Sequence, residues 1–128
     1  MGLTITGGTT ITTGETVSIT SYSLTVPAGS GSNPVLGTTA RNAAANGIVD
    51  LVDAGAGAGV LRLKTSSGGT TLVDIALNDP AFDASASGAA ALDVSPAVSG
   101  VASATGVCAY YEFRDSDGNV IMSGTTVA

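Results

Sequence analysis

The chain has no histidine, no tryptophan, a single cysteine and only four basic residues in 128. Without histidine, acid–base work at neutral pH falls to carboxylates retuned by burial, and nucleophilic work needs a base beside the nucleophile. Neither arrangement is visible, so the sequence predicts a protein that is not an enzyme. One cysteine excludes an intrachain disulfide, and Cys108, set in the apolar run GVCAYY, is expected to be a small buried core residue. Arg41, Arg62, Lys64 and Arg114 are scattered along the chain, which argues against nucleic acid as a partner. No apolar stretch is long enough to span a bilayer, and the opening MGLTITGG has neither a basic leader nor an apolar signal core. Synthesis in a cytoplasm and no membrane partner are therefore expected. Aromatics, at 4%, leave the interior to Val, Leu, Ile and Ala.

The chain is rich instead in threonine, serine, glycine, alanine and valine, with 44% hydrophobic residues, a net charge of −6 and a mean hydropathy of +0.42. Disorder needs the reverse, low hydrophobicity with high charge. The length fits one domain, which buries roughly two-thirds of the surface its unfolded chain exposes. Eighteen glycines raise the backbone entropy that folding must overcome, and the core is poor in large side chains. Burial in an oligomer or against a larger partner is thereby favoured.

The periodicity predicts a mainly β domain, a β-sandwich or jelly-roll-like body with one α-helix and an N-terminal β arm. Residues 1–36 read as a threonine-rich arm and linker, residues 37–128 as the body. In the arm, Leu3 and Ile5 share a face, as do Val17 and Ile19, with Tyr22, Leu24 and Val26 on one face of the next segment. Gly7-Gly8, between LTIT and TTIT, is a two-residue hairpin signal. Ribbons this thin bury little by themselves, so the arm is expected to pair with the body or with a neighbour. Leu3, Ile5, Ile11, Val17, Ile19 and Tyr22 are its candidate contact residues.

Residues 27–33, PAGSGSN, read as a flexible connection. A helix is predicted over about residues 39–54, capped by Thr38 or Thr39 and ended by Gly55. Ala40, Ala44, Ile48, Leu51 and Val52 fall on one face, with Arg41, Asn42 and Asp53 elsewhere. Gly47 inside it implies either fraying or the close approach of another backbone. Strands are expected over 60–65 and 71–77 around a turn at 66–69, over 89–94, and over 106–114 and 119–127 around a loop at 115–118.

Four patterns invite a chemical reading. Gly55, Gly57 and Gly59 have the glycines of a dinucleotide loop but follow a helix, whereas a phosphate cradle needs strand, glycines and then helix. Asp115, Asp117 and Asn119 open like a calcium loop, yet the glycine stands fourth rather than sixth and no closing glutamate follows, so a plain turn is expected. Asp74, Asp79, Asp83 and Asp93 are numerous enough for a glycosidase pair, but aromatic partners for sugar stacking are scarce. No cofactor and no metal are expected. Tyr110, Tyr111 and Phe113 form the aromatic cluster. Tyr111 and Phe113 share a face with Val107 and Ala109 and read as core, while Tyr110, on the opposite face beside Glu112, is a candidate contact residue.

From the helix onward the chain resembles a group of small virion proteins of tailed bacteriophages and prophages. The shared elements are a helix ending in glycine (41–55), an LRLKT strand (61–65), a TLVDIAL strand (71–77), then Phe82, Ala84 and the GAA of 88–90. After these come the A-x-x-T-G of 102–106, an aromatic strand (110–114), the D-x-x-G of 115–118 and a short closing strand (120–124). The threonine-rich first third departs from the pattern. The resemblance implies a non-enzymatic structural protein of the particle, a capsid cement or decoration protein on the capsid exterior, assembled in the host cytoplasm. Its partner would be the major capsid protein, and a three-fold shell position would favour a homotrimer. A tail, neck or fibre-associated protein, binding a host-surface carbohydrate, is the alternative.

Overall fold

The computed structural model describes the backbone of Thr4–Ile5 and the whole of residues 10–126. The fold is mainly β with antiparallel sheets and one helix, a β-sandwich carrying a single α-helix. Four short strands come first, β1 (Thr4–Ile5), β2 (Thr10–Ile11), β3 (Thr16–Ser21) and β4 (Ser23–Thr25), followed by the helix α1 (Thr38–Val52). Then come β5 (Val60–Lys64), β6 (Thr71–Ala76), β7 (Ala89–Ala91), β8 (Val98–Val101), β9 (Gly106–Val107), β10 (Tyr110–Arg114) and β11 (Val120–Thr125). They form a four-stranded sheet in the order β11-β10-β5-β6, a three-stranded sheet β1-β3-β8, and the pairs β2-β9 and β4-β7.

Alternation decides the four-stranded sheet. Leu61 and Leu63 of β5 are fully buried between half-buried Val60, Arg62 and Lys64, and across the ladder Leu61 faces Ile75 and Phe113 while Leu63 faces Val73 and Tyr111. In β6 strict alternation fails, because Leu72 and Val73 are both buried. The register shifts there, with Leu63 opposite Val73 but Lys64 opposite Thr71, and such a bulge lets two consecutive residues leave the pleat.

The N-terminal third is woven into the body from residue 10 onward. β2 pairs with β9, β3 with β8 and β4 with β7, and Ile11, Val17, Ile19 and Tyr22 belong to the same buried cluster as Leu61, Ile75 and Phe113. β1 pairs with β3, so β1 and β2 do not form the hairpin that Gly7-Gly8 suggests. β8 has no counterpart among the expected strands. Its VSGV places only Val98 in the core, too weak a pattern to read.

The expected strand 106–114 is two strands in different sheets, β9 and β10, broken at Cys108 and Ala109. The break changes the parity: Val107 is 56% exposed while Cys108, Tyr111 and Phe113 are buried. The C-terminal hairpin matches expectation, with β10 and β11 joined by the 115–119 loop.

The helix begins after an extended Gly37, with no side-chain cap from Thr38 or Thr39. Its buried residues are Ala45, Val49 and Val52, whereas Ala40 is exposed and Leu51 is 53% exposed. The stripe is rotated because polar residues dock it. Arg41 Nε donates to the Val26 carbonyl (2.7 Å), and Asn42 Oδ1 accepts from the Gly88 amide (2.8 Å). Asn46 Oδ1 accepts from the Ser85 amide (2.9 Å), and Asp53 Oδ1 from the Ala81 amide (2.9 Å). At Gly47 the helix is unbroken and an added Cβ would meet nothing within 4 Å, so neither fraying nor a close approach accounts for that glycine.

Candidate contact surface

The patterns that invite a chemical reading serve the fold. The glycine loop 55–59 folds over the 115–118 turn: Ser116 Oγ donates to the Ala54 carbonyl (3.1 Å) and accepts from the Gly57 amide (3.3 Å). Gly55 has φ +97°, and a Cβ there would strike Ser116 Oγ; a Cβ at Gly59 would meet the carbonyls of Val52 and Arg114. The glycines are explained by close approach and left-handed backbone. In the turn, Asp115 Oδ1 accepts from the amides of Asp117 (3.0 Å) and Asn119 (2.9 Å), and Oδ2 from Asn119 Nδ2 (2.9 Å). These bonds favour the ionised form and hold the Asp115 carboxyl below its ordinary range. Both Asp115 carboxylate oxygens are thus engaged by the loop's own donors.

Two of the four aspartates have partners within the fold. Asp74 is bound to Arg62, and Asp93 Oδ1 accepts from the Ser95 amide (3.0 Å). Burial, with smaller contributions from Asp79 and Asp50, pushes Asp53 above its ordinary value, against the Ala81 amide that favours its charge. Its carboxylate is a peg between helix and body. Cys108 is buried, which pushes its thiol up and away from the reactive thiolate. Among the described residues no group of three metal-ligating side chains gathers, no buried side-chain nitrogen or oxygen lacks a partner, and no helix is long and apolar enough to cross a membrane.

Leu3 lies outside the described residues, as does the side chain of Ile5. Ile11, Val17, Ile19 and Tyr22 are at most 4% exposed. Their side chains are closed off inside a single chain, so as contacts with a neighbour they are corrected: pairing with β8 and β9 turns Ile11, Val17 and Ile19 inward, and Tyr22, between β3 and β4, packs on Phe82, Tyr111 and Phe113. Among the described residues Tyr110 is the one candidate not buried, half-exposed on the outer face of the four-stranded sheet, where its hydroxyl donates to Ser123 Oγ (2.8 Å).

That outer face gathers the charge that the sequence scatters. Arg62 opposes both Asp74 and Glu112, and Tyr110 opposes Lys64, placing three of the four basic residues on one surface with two acids. Arg62 grips Asp74 through two bonds (2.8 and 3.0 Å). Glu112, only 7% exposed, is held by Arg114 (2.7 Å), with Lys64 at 3.7 Å. The alternation in LRLK and YEFR carried this signal, since alternate residues of neighbouring strands share a face. Among the described residues β11 is paired on one side only. The other border of the sheet is covered: Ser103 donates its amide to the Leu72 carbonyl (2.8 Å), and Gly100 lies so close to the Asp74 carbonyl that a Cβ would collide with it.

Comparison with known proteins finds no matching family model, no matching curated protein and no matching solved structure.

Proposed function

We propose that this protein is a non-enzymatic structural component of a tailed-bacteriophage virion, a cement or decoration protein that binds the major capsid protein as a homo-oligomer on the outside of the head. The family reading comes from the sequence pattern of residues 41–124. The observation that carries it further is the outer sheet face. On a chain of net charge −6, Arg62, Lys64 and Arg114 share the sheet face that carries Tyr110, with only Asp74 and Glu112 opposed to them. A locally cationic face with one half-buried aromatic suits docking on an acidic protein surface. The remaining aromatics, Tyr22, Phe82, Tyr111 and Phe113, are packed on one another in the interior, which leaves little for stacking on a sugar.

The test is co-sedimentation of the full chain with heads assembled without it. The chain is expected to saturate heads at many copies each, and Arg62→Gln and Tyr110→Ala, each still folded by thermal melt, to lower its affinity at least tenfold. A chain that stays in the supernatant, or that purified particles carry in a few copies on the tail, overturns the reading.

A further inference from the structure

We propose that two copies of this chain join edge to edge through β11, antiparallel about a two-fold axis, so that two four-stranded sheets become one continuous sheet. This names the homo-oligomer of the shell reading as a two-fold pair in place of a three-fold ring, and it rests on the edge itself rather than on the shell.

The direction of the backbone groups follows from the ladder. The Thr126 amide donates to the Ala109 carbonyl (3.2 Å), and by the alternation of an antiparallel pair Gly124 and Met122 also turn toward β10. Ser123 and Thr125 then turn their amides and carbonyls to the open border. Proteins guard such borders with charge, proline, or a covering segment. Here the β6 border is covered by Gly100 and Ser103, whereas residues 119–128, which include β11, contain no charged residue and no proline.

Charge permits a second copy and sets its direction. A second copy also carries −6, and the uncharged β11 border lets two such chains approach. Each sheet has a turn end, where Asp115 and Asp117 follow Arg114 in the β10–β11 turn, and a far end at Tyr110 and Thr125, where the turn 66–69 is uncharged and Lys64 is already paired with Glu112. Antiparallel pairing sets the acidic turn of one copy beside the uncharged far end of the other's β11 border. A parallel arrangement would bring two acidic turns together.

Light scattering on the full chain over a dilution series tests this without any phage component, so its outcome is independent of head binding. The expected result is twice the chain mass, falling to one chain mass on dilution. Thr125→Pro removes an amide aimed at the border and none aimed at β10, and is expected to be monomeric with its fold retained. Hydrogen exchange supplies a second readout that needs no variant: the Ser123 and Thr125 amides are expected to be protected at high concentration and to exchange rapidly when dilute. A monomer throughout, a trimer, a Thr125→Pro protein that still pairs, or exchange of these two amides that ignores concentration each overturns the proposal.

Discussion

The hydroxyls of Tyr22 and Tyr111 lie 2.9 Å apart in the interior, each the partner of the other. Tyr22 sits between β3 and β4, Tyr111 on β10, so this bond spans most of the chain and fastens the N-terminal third to the C-terminal hairpin. Gly124 makes it possible: a Cβ at that position of β11 would meet the Tyr111 hydroxyl.

Removing one hydroxyl leaves the other buried without a partner. Tyr22→Phe or Tyr111→Phe is expected to cost about 1–3 kcal/mol in urea unfolding, and the double variant less than the sum, because two apolar rings leave nothing unsatisfied. Burial, then the bond to Tyr111, raises the Tyr22 phenol above its ordinary range. A raised acid contributes stability that is complete below its unfolded value, about 10, and is lost as pH rises toward the folded one. Stability should therefore fall on the alkaline side more steeply in the wild type than in Tyr22→Phe.

Gly47 gives the opposite expectation from the glycines at close contacts. It is exposed, helical and faces open space, so Gly47→Ala should stabilise by ~1 kcal/mol. Gly59→Ala, which drives a methyl into the carbonyls of Val52 and Arg114, should destabilise by about 1–3 kcal/mol. Thermal melts of the two variants check both signs.

The β class, the helix and the C-terminal hairpin are legible in the sequence because period and turn residues agree there, as in VLRLK and DSDG. The helix face is not. Asn42, Asn46 and Asp53 look solvent-bound by polarity, yet each is a hydrogen-bond peg to a loop that only the tertiary fold brings near. The fate of Ile11, Val17 and Ile19 is likewise decided by β8 and β9, weak patterns far along the chain. Of the contact residues, Tyr110 is visible from its position on the face opposite Phe113. Glu112 is missed, because a lone glutamate carries no sign that Lys64 and Arg114 will close over it.

Two aspartates should respond to pH in opposite senses. Asp53 is raised chiefly by burial, so its charge opposes folding at neutral pH. Asp53→Asn keeps an acceptor for the Ala81 amide, and is expected to raise the melting temperature near pH 7 with a gap that closes as pH falls below the ordinary carboxylate range. Asp115 is lowered by hydrogen bonds from Asn119 and the turn amides. Its stabilisation is present above the ordinary carboxylate range and lost as pH falls through the lowered value. Asp115→Asn should lower the melting temperature at neutral pH, again with a gap that closes in acid.

The two ion-pair groups of the outer face differ in burial, and salt separates them. The Asp74 side chain is 46% exposed in its pair with Arg62, whereas that of Glu112 is 9% exposed between Arg114 and Lys64. An exposed pair is worth less than about 1 kcal/mol and is screened within a few ångströms at molar salt. Asp74→Asn should therefore cost little, and the cost should vanish in 1 M sodium chloride, where screening acts over ~3 Å. Glu112→Gln removes the one negative charge between two half-buried cations. It should cost about 1.5–3 kcal/mol, the scale of hydrogen bonds to charged groups, and most of that loss should persist in high salt because water and ions do not reach the carboxylate. Urea titrations of both variants at low and high salt distinguish the cases, and equal salt sensitivity would show that Glu112 is as accessible as Asp74.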